Sequence, residues 1–150
     1  MATKSKKSKL RKISSKTIKP KRTKIICISH KEDADGISSA ALIKQAVGGE
    51  TILVDYPGMM DVLESLRNDE KLGKLFICDL GLNKQTNDGF VALLTELRKK
   101  RISVTYVDHH DMDSKVISKL KKIKVKLIHN ISECTSVLVY DMFKKKLSEH

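Results

Sequence analysis

Short apolar runs alternate with longer amphipathic segments along this 150-residue chain. These runs consist mainly of apolar and β-branched residues, and they predict buried strands at residues 25–28, 51–54, 75–78, 102–107 and 125–128. Between them, apolar residues recur three or four positions apart, as they do on the buried face of a helix. This spacing predicts helices near residues 37–47, 59–66, 90–97 and 135–145, and Tyr56-Pro57-Gly58 predicts a turn before the second of them.

This order of elements indicates the fold class. Apolar strands separated by amphipathic helices are typical of a parallel sheet covered on both faces. We therefore predict an α/β fold, a three-layer sandwich whose mostly parallel, Rossmann-like sheet has about five strands. Right-handed crossovers bring the carboxyl ends of parallel strands to one edge, where ligands of such sheets bind. Polar residues that follow the strands are therefore the first candidates for a functional site.

Positive charge is concentrated at the N-terminus. Residues 1–24 carry a net charge of +11 with no acidic residue, whereas the other 126 residues carry 19 basic and 18 acidic groups. We expect a disordered basic tail at 1–24 and a folded domain at 25–150. Contact with nucleic-acid phosphates is one interpretation of the tail, and an import signal, an acidic protein partner or a solubilising role are others. The residues assigned to phosphate contact are Lys4, Lys6, Lys7, Lys9, Arg11, Lys12, Lys19, Lys21 and Arg22.

Other features of the sequence concern the compartment. No apolar run approaches the ~20 residues of a membrane span, and the N-terminus has no secretory signal pattern. We therefore expect a cytoplasmic protein without a membrane partner. The spacing of the three cysteines matches no zinc motif, so we interpret them as packing residues.

Three polar clusters follow predicted strands. They consist of His30, Asp33 and Asp35, then Asp79, and then Asp108, His109 and His110. Taken singly, each has an ordinary explanation, because carboxylates cap helices and occupy turns. Brought together, the carboxylates would repel one another unless cations lay among them, and imidazole with carboxylate suits Mn, Fe or Zn. Two metal ions about 4 Å apart, sharing one carboxylate and an acidified water that attacks phosphorus, would fit this set.

The order and spacing of these clusters resemble the DHH phosphoesterases over about residues 25–145. This superfamily includes RecJ-type single-strand exonucleases, nano-RNase-type oligoribonucleases, cyclic-dinucleotide phosphodiesterases and manganese inorganic pyrophosphatases. The resemblance implies that one metal is held by His30, Asp33 and Asp79, and a second by Asp35, Asp79 and His109. It also implies two catalytic residues, with His110 contacting the substrate phosphate and Asp108 holding the His pair in place. Residues 132–136 resemble the family's helix-opening segment, where Thr135 and Ser136 would touch substrate or cap the helix.

The sequence departs from the family pattern at two points. Lys31 and Glu32 both separate His30 from Asp33, where the nuclease branches have a single residue. The sequence also ends before the family's fourth motif, which supplies another metal-binding Asp, and before the second, substrate-binding domain. We therefore expect three ligands from this chain, rather than four, at the second metal.

These observations predict a metal-dependent phosphoesterase domain that hydrolyses phosphodiester or phosphoanhydride bonds. The expected cofactor is Mn²⁺, with Mg²⁺ as the alternative, and two ions bind if the second site is completed. The basic tail favours single-stranded DNA or RNA, or short oligonucleotides, as the substrate. The alternative function is a catalytically silent DHH-like binding or assembly module, or half of a site that a partner protein or a homodimer completes.

Overall fold

A computed structural model describes residues 21–148 of the chain as one parallel sheet with helices on both faces. The strands are β1 (Lys24–His30), β2 (Glu50–Val54), β3 (Leu72–Cys78), β4 (Ser103–Asp108) and β5 (Lys126–His129). The helices are α1 (Ala34–Val47), α2 (Tyr56–Leu66), α3 (Asn87–Lys99), α4 (Ser114–Lys122) and α5 (Thr135–Leu147). The strand order is β2-β1-β3-β4-β5, and all four pairings are parallel, which confirms the predicted α/β sandwich.

The core is divided by the sheet into two apolar layers. Ile26 and Ile28 point from β1 into the layer under α2, α3 and α4, and Cys27 points into the layer under α1 and α5. Because both faces are covered, residues 25–28 of β1 and 75–78 of β3 are apolar without alternation, although they face opposite layers in turn. Burial of each large aliphatic side chain contributes roughly 1.5–3 kcal/mol to the free energy of unfolding. The central strands stabilise both layers, because they place such side chains on both faces of the sheet.

The strand order places a crevice beside the carboxyl ends of β1 and β3. After β1 the chain crosses to β2 on one side, and it then returns to β3 on the other side of β1. Loops that leave neighbouring strands in opposite directions separate from each other, and ligands bind in the resulting crevice. His30 ends β1 and Asp79 follows β3, so both border this crevice.

Two local predictions were wrong. Tyr56, Pro57 and Gly58 form the first turn of α2 rather than a separate turn, because the Asp55 carboxylate accepts the backbone N–H of Gly58 at 2.8 Å. Proline is tolerated in a first helical turn, where its missing N–H has no partner to lose. The sequence reading also missed α4, a short lysine-rich helix whose N-cap is Asp113.

The basic tail is only partly within the described residues. Lys4, Lys6, Lys7, Lys9, Arg11, Lys12 and Lys19 lie outside them, while Lys21 and Arg22 are described and exposed. β1 begins at Lys24, one residue before the predicted domain boundary. Within residues 21–148, no helix is both long enough and apolar enough to cross a membrane.

Candidate metal centre

The loop after β1 brings His30 and Asp33 into contact. Asp33 is the N-cap of α1, and its Oδ1 accepts the backbone N–H of Gly36 at 2.9 Å. Its Oδ2 lies 2.9 Å from Nδ1 of buried His30. The hydrogen bond from Gly36, together with His30, lowers the pKa of Asp33 despite its partial burial. The loop requires glycine at position 36, because a Cβ there would lie 2.3 Å from the His30 carbonyl oxygen.

Asp79 is the most buried carboxylate of the crevice loops after Asp108, with 1% of its surface exposed. Its Oδ1 accepts the hydroxyl of Thr135 at 3.0 Å, whereas its buried Oδ2 has no hydrogen-bond partner among the described residues. Burial, with the nearby charge of Asp35, raises the pKa of Asp79 from 3.8 to about 6. A buried carboxylate oxygen without a donor is unfavourable unless a cation lies against it.

The backbone at Asp79 is also unusual. Its φ of 56° lies in the left-handed region, which residues other than glycine, asparagine and aspartate rarely adopt. The Asp79 N–H donates to the carbonyl of Val107 on β4, so the strand pairing continues to this residue before the chain turns away. Unfavourable backbone geometry of this kind is concentrated at functional sites.

The loop after β4 supplies both neighbouring imidazoles. Nδ1 of His110 lies 2.9 Å from Oδ1 of Asp108, a fully buried carboxylate that can only accept a hydrogen bond when ionised. This contact fixes the proton on Nδ1 and leaves Nε2 of His110 directed away from Asp108. Nε2 of His109 lies 3.5 Å from Oδ1 of Asp79 and 3.8 Å from Oδ2 of Asp35, so this imidazole borders two carboxylates.

Asp35 connects the first helix to the last. Its Oδ2 accepts the backbone N–H of Thr135 at 2.8 Å, and its Oδ1 accepts that of Ser136 at 2.7 Å. The side chain of Cys134, the N-cap of α5, does not cap the helix N–H groups, and Asp35 accepts them although it lies 100 positions earlier in the sequence. Burial alone would raise the pKa of Asp35, but the hydrogen bonds from Ser136 and Thr135 lower it.

The structure brings the candidate ligand atoms together in two groups that share Asp79. Ligand atoms of each group lie within 4.8 Å of one another, and the groups are His30, Asp33 and Asp79, and Asp79, His109 and His110. The first group is the set of ligands that the family resemblance implied for one metal. In the second, His110 joins Asp79 and His109, while both oxygens of Asp35 are engaged by α5. Asp79 Oδ2 and His30 Nε2 have no hydrogen-bond partner within residues 21–148, and together with this mixture of carboxylate and imidazole they fit a divalent cation.

Thr135 and Ser136, which the sequence associated with substrate or with helix capping, lie at the start of α5. The Thr135 side chain is buried and its hydroxyl is bonded to Asp79, so this residue supports a candidate ligand. Ser136 is partly exposed and contributes its backbone N–H to Asp35.

Three residues that shape the site around His110 were not predicted from the sequence. The hydroxyl of Tyr56 lies 3.1 Å from Nε2 of His110, and Nε2 of His129 lies 2.6 Å from the His110 carbonyl oxygen. A Cβ on Gly81 would lie 2.9 Å from Cγ of His110, so the absence of a side chain there makes room for the imidazole. Tyr56 and His129 both lie at the carboxyl ends of strands, and the rule that found the other clusters would have found them.

Comparison with known proteins agrees with this geometry. Residues 24–150 match the DHH family, N-terminal domain. The chain belongs to the DHH family. This is a family of metal-dependent phosphoesterases, generally hydrolases, and the match confirms the resemblance of the three clusters.

A solved structure shares the fold of this DHH domain. It is the crystal structure of an uncharacterized protein from Helicobacter pylori G27, with a TM-score of 0.63 and 19% sequence identity. The similarity covers 81% of this chain and 36% of that protein, so the DHH domain described here spans little more than a third of its length. Among curated proteins, none matches this sequence.

Proposed function

We propose that this DHH domain is a Mn²⁺-dependent phosphodiesterase acting on single-stranded nucleic acid or short oligonucleotides. The observation that supports it most directly is Asp79, whose buried Oδ2 has no donor in the described part of the chain and which is shared by two groups of ligand atoms. When bound, divalent metal ions supply an acidified water and neutralise charge that develops on the phosphate. The roles of the side chains follow from their contacts.

The carboxylates and two imidazoles hold the metal ions in this proposal. His30 and Asp33 share the first ion with Asp79, and the 2.9 Å contact between His30 and Asp33 orients the pair before any ion binds. His109 shares the second ion with Asp79, and Asp35 completes that set by exchanging one contact with α5 for a contact with the metal. Mixed nitrogen and oxygen donors favour Mn²⁺ over Mg²⁺, which prefers oxygen donors alone.

His110 is the residue that contacts the substrate phosphate. Asp108 binds its Nδ1 from the buried side, so Nε2 is the ring atom that reaches the crevice. When both ring nitrogens carry a proton, Nε2 can donate to a phosphoryl oxygen and stabilise it as negative charge develops. The buried carboxylate of Asp108 favours this role, because it keeps the ring in one orientation throughout the reaction.

The surroundings of the site support a substrate larger than pyrophosphate. A groove of about 620 Å³ lies beside the site between the loop after β3 and the loop after β4. It is lined mainly by polar residues: Asn83, Lys84, Gln85, Asn87, Asp111, Asp113 and Ser114, with Leu82. Amide and ammonium groups of this kind can bond sugars and phosphates beyond the reacting one.

A binding module without turnover is the second candidate function. One observation favours it: both oxygens of Asp35 are hydrogen-bonded to α5, so a second metal must displace at least one of these contacts. If α5 keeps Asp35, one ion binds and the second site stays incomplete.

Calorimetric titration of Mn²⁺ into the wild-type protein and Asp79→Asn tests the proposal before any substrate is chosen. Asparagine tolerates the left-handed backbone at this position, so the variant removes the charge without adding strain. Asp61→Asn is the matched control, because it removes one exposed carboxylate on α2. We expect one or two ions per chain, lost in Asp79→Asn and kept in Asp61→Asn.

The second step is hydrolysis of end-labelled single-stranded RNA and DNA, and of dinucleotides, with Mn²⁺. We expect cleavage by the wild-type protein and by Asp61→Asn, and none by Asp79→Asn. Ion binding without cleavage of any phosphodiester would support the binding module instead. The absence of ion binding would exclude both the proposed enzyme and its proposed metal centre.

A further inference from the structure

The edge of the sheet opposite the metal centre carries several basic side chains. Because all the strands are parallel, α2, α3 and α4 end at this edge. We define the basic track as Arg22, Arg67, Lys99, Lys100, Lys122 and Lys124. We propose that this track binds the phosphodiester backbone of a nucleic acid, at a site separate from the metal centre.

The track comprises two grooves, and Lys100 of the first follows Lys99 of the second in sequence. Arg22, Arg67 and Lys100 line the first, of about 410 Å³, together with Asn68, Asp69 and Glu70. Lys99, Lys122 and Lys124 line the second, of about 320 Å³, together with Thr95, Arg98 and Ile123. The Lys100 ammonium donates to the carbonyl of Arg67 and so connects the ends of α2 and α3.

The spacing of the cations is fixed by Arg98. Its Nε donates to the Ile123 carbonyl at 3.2 Å, and its Nη1 donates to the Ile102 carbonyl at 2.6 Å. The first bond connects the end of α3 to the turn between α4 and β5, and the second lies within the turn between α3 and β4. Lys99 is thereby held beside Lys122 and Lys124 on a rigid part of the domain.

The turns that end α3 and α4 contain basic residues where glycine is usual. Arg101 (φ 63°) and Lys124 (φ 61°) are left-handed, and the next residues, Ile102 and Val125, donate back to Leu97 and Leu120. These hydrogen bonds define the Schellman ending of a helix, whose left-handed position favours glycine. The chain does use glycine after α1, where Gly48 has φ 71°. Cations are therefore kept at α3 and α4 at a cost in backbone energy.

Helix stabilisation alone does not account for so many cations. Basic side chains commonly lie near helix carboxyl ends, but the helix dipole is equivalent to only about half a charge. Arg98, Lys99, Lys100 and Arg101 gather at the end of α3, and Lys121, Lys122 and Lys124 at the end of α4. Within residues 21–148, Lys99, Lys122 and Lys124 form no ion pair, whereas Arg67 is paired with Glu64 and Glu96, and Lys119 is paired with Asp88 near the start of α3.

The arrangement favours an extended polyanion over a small anion. Helix carboxyl ends repel a single phosphate placed directly against them. Only the long side chains of lysine and arginine can therefore contact an anion here. No exposed aromatic residue of the described chain lies on the track, which excludes base stacking and leaves sequence-independent phosphate contacts. Arg22, at one end of the track, continues in sequence into the basic N-terminal segment.

This inference deepens the proposed function, since it takes its nucleic-acid ligand from that proposal, but it adds a surface that the metal centre does not need. The strands separate the two edges by about 20 Å, from about 3.3 Å per residue. A dinucleotide is too short to reach both edges, whereas an oligonucleotide of about 20 residues is long enough. Substrate length therefore separates the two sites experimentally.

The test compares two triple variants of the full chain. The track variant is Lys99→Gln, Lys122→Gln and Lys124→Gln. The matched control is Lys144→Gln, Lys145→Gln and Lys146→Gln, which neutralises three exposed lysines in the last turn of α5, on the other face of the sheet. Binding of a fluorescein-labelled single strand of about 20 nucleotides is measured by anisotropy in EDTA at several salt concentrations, so that no hydrolysis occurs.

We expect the track variant to bind at least about tenfold more weakly, and its slope of log K against log salt to decrease by about 2, or 0.7 per lost phosphate contact. The control should change binding by less than about twofold. Equal losses in both variants, or unchanged binding in the track variant, would overturn the proposal. Lys124→Gly is a second variant for which we expect weaker binding together with a higher unfolding temperature, because glycine relieves the left-handed backbone.

Dinucleotide hydrolysis with Mn²⁺ distinguishes failure of this inference from failure of the proposed function. We expect the track variant to cleave the dinucleotide at the wild-type rate. If oligonucleotide binding depends on the track while neither protein cleaves any substrate, the surface is supported and the enzyme is not. If cleavage occurs and the track variant binds the oligonucleotide as tightly as the wild-type protein, the enzyme is supported and this inference is wrong.

Discussion

The hydroxyl of Tyr56 lies 3.1 Å from Nε2 of His110, and its ring packs against His30 with the ring centroids 4.6 Å apart. Since Asp108 fixes the proton of His110 on Nδ1, Nε2 accepts the hydrogen bond and the phenol donates it. Tyr56 follows β2 and His110 follows β4, two strands that β1 and β3 separate. One phenol thus contacts both a candidate metal ligand and the candidate phosphate contact.

Replacement of Tyr56 by phenylalanine should lower kcat/KM for phosphodiester hydrolysis by about 2- to 10-fold. The ring still packs on His30, but the imidazole of His110 loses a hydrogen bond of about 0.5–1.5 kcal/mol that holds its orientation. The unfolding temperature should be almost unchanged, because the hydroxyl is partly exposed. Steady-state kinetics of Tyr56→Phe beside Tyr140→Phe, which removes an exposed hydroxyl from α5, check this. Wild-type kinetics in Tyr56→Phe would show that the phenol does not orient His110.

The raised pKa of Asp79 predicts a pH dependence of stability in the metal-free protein. The unfolded carboxyl loses its proton near its ordinary pKa of 3.8, whereas the folded one keeps it up to about 6. Between these values the folded state binds more protons, so the free energy of unfolding falls as pH rises from about 4 to about 6. The fall is at most about 3 kcal/mol, at 1.36 kcal/mol per pKa unit. Asp33 and Asp35, whose pKa values are lowered, act mainly below this window.

Urea unfolding at several pH values measures this dependence in EDTA. Asp79→Asn should remove most of the slope between pH 4 and 6, while Asp61→Asn should keep it. Mn²⁺ should raise the unfolding temperature of the wild-type protein more at pH 7.5 than at pH 5, since the ion binds the ionised carboxylate. An equal Mn²⁺ effect at both pH values, or an equal slope in Asp79→Asn, would contradict the assignment of this titration to Asp79.

Removal of the Asp35 side chain should destabilise the fold through α5. Asp35→Ala leaves the N–H groups of Thr135 and Ser136 without their acceptors, and we expect a loss of about 1–3 kcal/mol. Asp35→Asn keeps one carbonyl acceptor and should lose less. Asp113→Ala, which removes the local and exposed cap of α4, is the comparison, and its loss should be smaller. Denaturant unfolding gives the order, and an Asp35→Ala protein as stable as Asp113→Ala would show that the link to α5 contributes little.

A methyl group at position 81 should separate metal binding from hydrolysis. In Gly81→Ala the new Cβ would lie 2.9 Å from Cγ of His110, so the imidazole must move. Asp79 and the first group of ligands keep their positions, so Mn²⁺ binding by calorimetry should match the wild-type protein. We expect hydrolysis to fall at least about tenfold, because misplacement of about 1 Å has effects of this size or larger. Loss of both properties would indicate a wider disturbance of the loop.

The sequence predicted the sheet well because buried parallel strands have a pattern that few other structures produce. The apolar runs at 25–28 and 75–78 lie within β1 and β3, although both strands begin earlier, at Lys24 and Leu72. Polar residues at strand starts do not break hydrogen bonding between strands, so hydropathy alone placed these boundaries too late. α4 was missed although Val116, Ile117 and Leu120 recur at helical spacing, because the helix has only nine residues and four of them are lysines.

Only those residues of the candidate site that closely follow a strand could be predicted from the sequence. His30, Asp79 and His109 were found because they follow apolar runs, and the parallel sheet brings such positions together. The contact between Asp35 and α5 could not be found in this way, because it joins positions 100 apart and depends on how the helices pack. Tyr56 was set aside as a turn residue, because Pro57 and Gly58 resemble a turn more than the first turn of a helix.

The left-handed backbone of Asp79 has a consequence for the evolution of this domain. Asparagine and glycine adopt this geometry at least as readily as aspartate, and neither places an unpaired charge in the interior. Each is reached from an aspartate codon by a single base change. Selection for stability alone would therefore replace this carboxylate early once hydrolysis was no longer required. A related protein with asparagine or glycine at this position would therefore be expected to keep the fold and to lack metal-dependent hydrolysis.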